Sequence, residues 1–137
     1  MNDQTVVEVV RDLAADPVSA ALLLTSSTAL EWWPGLRLER GTGEGGAMPV
    51  TLTSGRQSEL VGIEALPPQR TATAFVARFR VSGGSYGTTD GAVTLARRAD
   101  GTRATMRLAG PRTDLEAPAR RFLVKLAKVA ETRSTAA

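Results

Sequence analysis

Apolar residues recur at helical spacing in the last regular stretch of the chain, from Asp114 to about Arg133. Leu115, Ala119, Phe122, Leu126, Val129 and Ala130 stand three and four apart, and Glu116, Arg120, Arg121, Lys125, Lys128 and Glu131 fill the positions between them. That spacing puts the apolar set on one stripe and predicts an amphipathic helix with a single dry face. Asp114 is the candidate N-cap, and Pro118 fits only near the first turn. Everything from Arg37 to Gly110 alternates with a period close to two, so a long helix after many strands has to bury its stripe on a sheet.

Earlier in the chain, Thr5 to Leu13 carries Val6, Val7, Val9 and Val10 and predicts a strand. Asp16-Pro17 starts a helix to about Leu24, with Val18, Ala21, Leu22 and Leu24 assigned to its inner face. A second short helix runs from Thr28 to Trp33, capped by Ser26 or Ser27 and ended by Pro34-Gly35. Strands follow at Leu36 to Arg40, Met48 to Thr53 and Arg56 to Ala65. The glycine-rich Gly41 to Gly46 reads as a hairpin turn, because strands flank it and no helix follows it. Pro67-Pro68 breaks the ladder. Arg70 to Val81 places Thr71, Thr73, Phe75, Ala77, Phe79 and Val81 on a dry face and Arg78 and Arg80 on the other. Thr88 to Arg98 and Thr102 to Ala109 pair through a hairpin at Asp100-Gly101. The tail from Ser134 is expected to fray. The fold class is α+β, with one domain spanning residues 1–137.

Composition narrows the chemistry. There are no cysteines and no histidines among the 137 residues, so thiol catalysis, imidazole bases and the usual zinc ligands are excluded. No metal or cofactor is expected, and the lack of thiols fits a cytoplasmic protein. No apolar run approaches the ~20 residues of a membrane span, and the polar Met1 to Thr5 does not read as a signal peptide. Lysine and arginine total 17 against 14 acids, a small excess. The basic residues are scattered and aromatics number only six (two Trp, one Tyr and three Phe), which argues against nucleic-acid binding.

The order strand, two short helices, about six strands, long helix carries several particular marks. They are Ala15-Asp16-Pro17 after the first strand, Glu31-Trp32-Trp33-Pro34-Gly35, the Leu66-Pro67-Pro68 break, the Asp100-Gly101-Thr102-Arg103 hairpin and the terminal helix. Together they resemble the START-like (Bet v 1-like, helix-grip, SRPBCC) superfamily, in its bacterial polyketide cyclase/dehydrase and lipid-transport branch. The resemblance covers nearly the whole chain. It implies a seven-stranded antiparallel sheet curled around the C-terminal helix, with an apolar cavity between them for a lipid-, quinone- or polyketide-like molecule. The short link Pro111 to Thr113 implies a narrow mouth.

The candidate ligand-binding residues are Trp32, Trp33, Phe75, Phe79, Tyr86, Met106, Phe122 and Leu126. The two tryptophans either plug the end of the barrel or place one ring at the pocket mouth, since neighbours on a helix cannot both face one way. Tyr86, on a loop, is assigned to surface or hairpin packing ahead of a role as hydroxyl donor. Arg56, Arg78, Arg80, Arg97 and Arg107 are assigned to solvated faces, and Glu64 and Asp90 are the acids expected to approach the interior. Three functions are weighed in this order. The first is binding or carriage of a hydrophobic or amphipathic small molecule. The second is a cyclase-like enzyme using Tyr86 or an inward arginine with Glu64 or Asp90 as base. The third is an interaction protein with a vestigial cavity, self-associating as a homodimer along an edge strand or the short helices.

Overall fold

The computed structural model describes residues 4–25, 27–39 and 47–135. The first strand, β1 (Thr5–Leu13), turns Val7, Val9 and Leu13 inward and leaves Val6 and Val10 half exposed. The Asp16 carboxylate then caps α1 (Pro17–Leu24), accepting from the Ser19 N–H at 2.9 Å and from its hydroxyl at 3.0 Å. Those bonds satisfy a first-turn donor that has no intrahelical partner. The inner face of α1 is not the one its spacing suggested. Pro17, Ala20, Ala21 and Leu23 are buried, whereas Val18 and Leu22 are 62% and 67% exposed.

The second helix is a 3₁₀ helix, Ser27–Trp32, and the Ser26 alternative for its cap lies outside the described residues. Gly35 follows at φ 79°, where a Cβ would overlap the Thr53 carbonyl, so the turn into the sheet requires glycine.

Seven strands of the described residues make one antiparallel sheet: β1, β2 (Leu36–Leu38), β3 (Met48–Ser54), β4 (Gln57–Arg70), β5 (Ala74–Ser82), β6 (Thr88–Arg98) and β7 (Gly101–Gly110). Their order is β1-β7-β6-β5-β4-β3-β2. The glycine-rich turn expected at Gly41 to Gly46 lies outside the described residues. At the β6–β7 hairpin, Arg98 pairs with Gly101, so the two-residue loop is Ala99-Asp100, one position earlier than expected.

Pro67-Pro68 does not end its strand. β4 continues to Arg70, and the prolines sit where its register with β5 shifts between Leu66 and Gln69. The pairing of β3 with β4 reaches Ile63, so among the described residues this part of β4 pairs with β5 alone. A proline at a bulge breaks no ladder bond. Nor do Thr71 and Thr73 belong to the dry face of β5; both are exposed and precede the strand.

The last element, α2 (Glu116–Thr135), packs on β1, α1 and the 3₁₀ helix. The Ala119 N–H bonds the Leu115 carbonyl, so the cap position is Leu115. Asp114 is engaged by Arg112 instead of capping the helix. The buried stripe is Leu115, Ala119, Phe122, Leu123, Leu126, Ala127 and Ala130, and Val129 is only partly buried. Residues 136–137 of the expected tail lie outside the described set.

Candidate ligand-binding site

Strand register explains where the space between sheet and helix is filled and where it is open. Inward-facing residues form rows across the sheet. One row is Ala104, Leu95 and Phe75, continued on β1 by the exposed Arg11; the next is Val9, Met106, Val93 and Ala77; the third is Val7, Leu108, Gly91, Phe79 and Ala65. In the first row Leu95 and Ala104 are fully buried, and α1 packs against β5 and β6. In the second and third rows the small side chains of Ala77 and Ala65 leave volume open, and Gly91 lets the Phe79 ring lie back against the sheet. A cavity of about 270 Å³ lies there. Its walls include Ala77, Phe79, Val93, Met106 and Leu108 from the sheet, Phe122 and Leu115 from the helical side, and Leu30, Trp33 and Leu36 at one end.

Of the eight candidates, the structure brings Trp33, Phe79, Tyr86, Met106 and Phe122 to this cavity. The other three lie elsewhere. Trp32 does not border the cavity and packs its ring on Phe122, with centroids 5.8 Å apart and planes at 54°. Phe75 borders a separate groove of about 210 Å³ between α1 and the Arg70–Ala74 turn, under the Arg70 guanidinium at 5.4 Å. Leu126 is 0% exposed and packed in the core. It stands four residues beyond Phe122, about 6 Å further along the helix axis.

Tyr86 is not on the surface. It is 5% exposed, on a short 3₁₀ turn (Gly84–Tyr86) between β5 and β6, and its ring borders the cavity. A polar cluster holds that turn. The Glu59 carboxylate of β4 accepts from the Ser85 N–H at 2.7 Å and from the Ser85 hydroxyl. Arg112, from the β7–α2 link, donates to Ser85 Oγ at 2.9 Å and to Asp114 at 2.8 Å, and it lies 3.5 Å from Glu59. Its guanidinium sits 4.6 Å from the centroid of the Tyr86 ring, a cation–π contact worth about 0.5–2 kcal/mol. Burial pushes the Tyr86 phenol above its ordinary range, and the Arg112 charge opposes that. Hydrogen bonds from Ser85, then the Arg112 charge, hold Glu59 below the usual carboxylate range. Arg112 does the same to Asp114, chiefly by hydrogen bonding. Glu59, Ser85 and Arg112 were not singled out from the sequence, because their meeting depends on a β4–β6 alignment that spacing does not reveal.

The acids expected near the interior are on the other face. Glu64, Arg80 and Asp90 stand side by side across β4, β5 and β6, all exposed, with the Arg80 Nε donating to Asp90 at 2.8 Å. Arg56, Arg78, Arg80, Arg97 and Arg107 are exposed, although Arg78 also borders the cavity. Among the described residues, no group of three or more His, Cys, Asp or Glu is arranged to hold a metal ion. No helix of these residues is long and apolar enough to cross a membrane.

No protein-family model and no curated protein matches the chain by sequence. Solved structures do match it in shape. A norcoclaurine synthase point mutant of Thalictrum flavum, bound to a transition-state analogue, has a TM-score of 0.70 at 11% identity, with 98% of each chain covered. The di-domain aromatase/cyclase StfQ of the steffimycin biosynthetic pathway has a TM-score of 0.66 at 11% identity, over 98% of this chain and 53% of that one. Ara h 8.0201 has a TM-score of 0.59 at 14% identity, over 98% and 99% of the two chains. At such identities the likeness is one of fold. Seven antiparallel strands, short helices after the first and a long C-terminal helix give this chain the helix-grip fold that these structures share.

Proposed function

We propose that this protein binds or carries a hydrophobic small molecule in the cavity between sheet and α2. The observation that carries this reading is the cavity itself: about 270 Å³ of space walled mainly by aliphatic and aromatic side chains. Packed interiors seldom keep voids larger than a water molecule, and apolar cavities of comparable size take up small apolar ligands. The matching structures support it, since one is a complex with a transition-state analogue and another is an aromatase/cyclase. The cyclase-like alternative needs a base at the site, and neither Glu64 nor Asp90 supplies one, since both are exposed on the outer face of the sheet. A cytoplasmic setting, suggested by the lack of cysteine, fits a carrier of a metabolite.

Native mass spectrometry of the purified protein, repeated after denaturation, tests the proposal. The expected result is a mass excess that disappears on denaturation, or, for protein purified empty, a rise in melting temperature with small apolar compounds. The absence of both a retained mass and a thermal shift across a panel of one- to three-ring compounds would contradict it. The self-association reading would then take its place.

A further inference from the structure

Two side chains on the cavity wall carry polar groups with no hydrogen-bonding partner among the described residues: the Tyr86 hydroxyl and the Trp33 indole N–H. No side-chain oxygen or nitrogen of the described residues is sealed from solvent without a partner. The Tyr86 oxygen therefore keeps open surface although its residue is 5% exposed, and the open space that residue borders is the cavity. The two lining threonine hydroxyls are occupied. Thr89 donates to the Tyr86 carbonyl at 2.8 Å, and Thr25 to the Leu22 carbonyl at 2.8 Å. An indole N–H can only donate, and a protonated phenol donates well.

Size and charge set further limits. A cavity of about 150 Å³ holds benzene, so about 270 Å³ suits roughly two fused rings. No carboxylate borders it, and its one lining arginine, Arg78, is exposed. A cationic ligand would therefore lose its hydration without gaining a counter-ion.

We propose that the cavity selects a ligand of about one to two rings that carries no positive charge and bears a hydrogen-bond acceptor oxygen, which the Tyr86 hydroxyl receives. Arg112 is the positioning residue: stacked on the ring at 4.6 Å and tied to Ser85 and Asp114, it fixes where the hydroxyl points. This rests on the cavity reading above.

Titration calorimetry with 1-tetralone and with tetralin, matched in shape and differing in one carbonyl, tests it on the wild type and on Tyr86→Phe. The variant removes no hydrogen bond within the protein, and a thermal melt checks its fold. The ketone is expected to bind the wild type about tenfold tighter than the hydrocarbon, the factor that one net hydrogen bond supplies. In Tyr86→Phe the two should bind alike. Equal binding of both compounds to the wild type, or a ketone preference that survives in the variant, overturns the role of Tyr86 and leaves the cavity reading standing. Binding of neither compound to the wild type overturns both.

Discussion

The Phe79 ring occupies the space directly over Gly91, its cross-strand partner between β5 and β6, where even a methyl group would overlap it. Phe79 also walls the cavity. The missing side chain at Gly91 therefore lets a large ring lie back against the sheet and leaves volume beneath α2.

Gly91→Ala should drive the Phe79 ring off the sheet and into the cavity. Overpacking of this kind costs about 1–3 kcal/mol. The expected outcome is a lowered melting temperature together with weaker uptake of a two-ring ligand, read by thermal melts and titration calorimetry. A variant that keeps wild-type affinity would show that Phe79 does not shape the site.

Leu126 separates core from site. Truncation of a fully buried leucine costs about 2–5 kcal/mol, and Leu126 is 0% exposed and absent from the cavity wall. Leu126→Ala should lower the urea midpoint while leaving ligand affinity per folded molecule within about twofold, a change under 0.5 kcal/mol. Met106→Ala, at a cavity-lining position, should change both.

Tyr86 is the sole tyrosine of the chain, so absorbance near 295 nm reports its ionisation alone. Burial raises its pKa above 10.0 and Arg112 works against that rise. The folded protein holds this proton more tightly than the unfolded chain, so the associated stability is present below pH 10 and is lost as pH rises through the folded value. The transition should lie above that of the urea-unfolded chain, and Arg112→Gln should move it higher still.

Glu59 shifts in the opposite direction. Its pKa is lowered from 4.5 by Ser85 and Arg112, so the folded state favours the carboxylate. The resulting stability is present above the ordinary glutamate range and is lost as pH falls through the lowered value. Urea midpoints measured from pH 7 down to pH 3 should fall less steeply for Glu59→Gln than for wild type.

Much of the fold was legible because its signals are local. The period-two runs, the Asp16-Pro17 cap and the amphipathic stripe of α2 each depend on neighbours in sequence. Local geometry leaves the Trp32–Trp33 pair open between plugging the barrel end and lining its mouth; Trp33 borders the cavity and Trp32 packs on Phe122. Where the face or partner is chosen by distant elements, the pattern was silent or misleading. The Ala20–Leu24 run is apolar on every side, so only packing against α2, β5 and β6 decides that Val18 and Leu22 face out. Pro67-Pro68 looks like a strand end until the pairing with β5 shows a register shift there. Glu64 and Asp90 needed the register with Arg80 to be placed outside. Tyr86 was given to the surface because a loop between glycines usually lies there; Glu59 and Arg112, 53 residues apart in the numbering, bring it inside.

Calorimetric titration of 1-tetralone into wild type and Ala77→Phe tests the central claim most directly. Ala77 lines the cavity between Val93 and Phe79, so the added ring fills the proposed binding volume without touching the outer face. The account predicts one saturable site in the wild type, and in the variant an affinity reduced at least about tenfold, the 1.4 kcal/mol of one good contact, with the melting temperature maintained. Equal binding to both proteins, or none to the wild type, would contradict it.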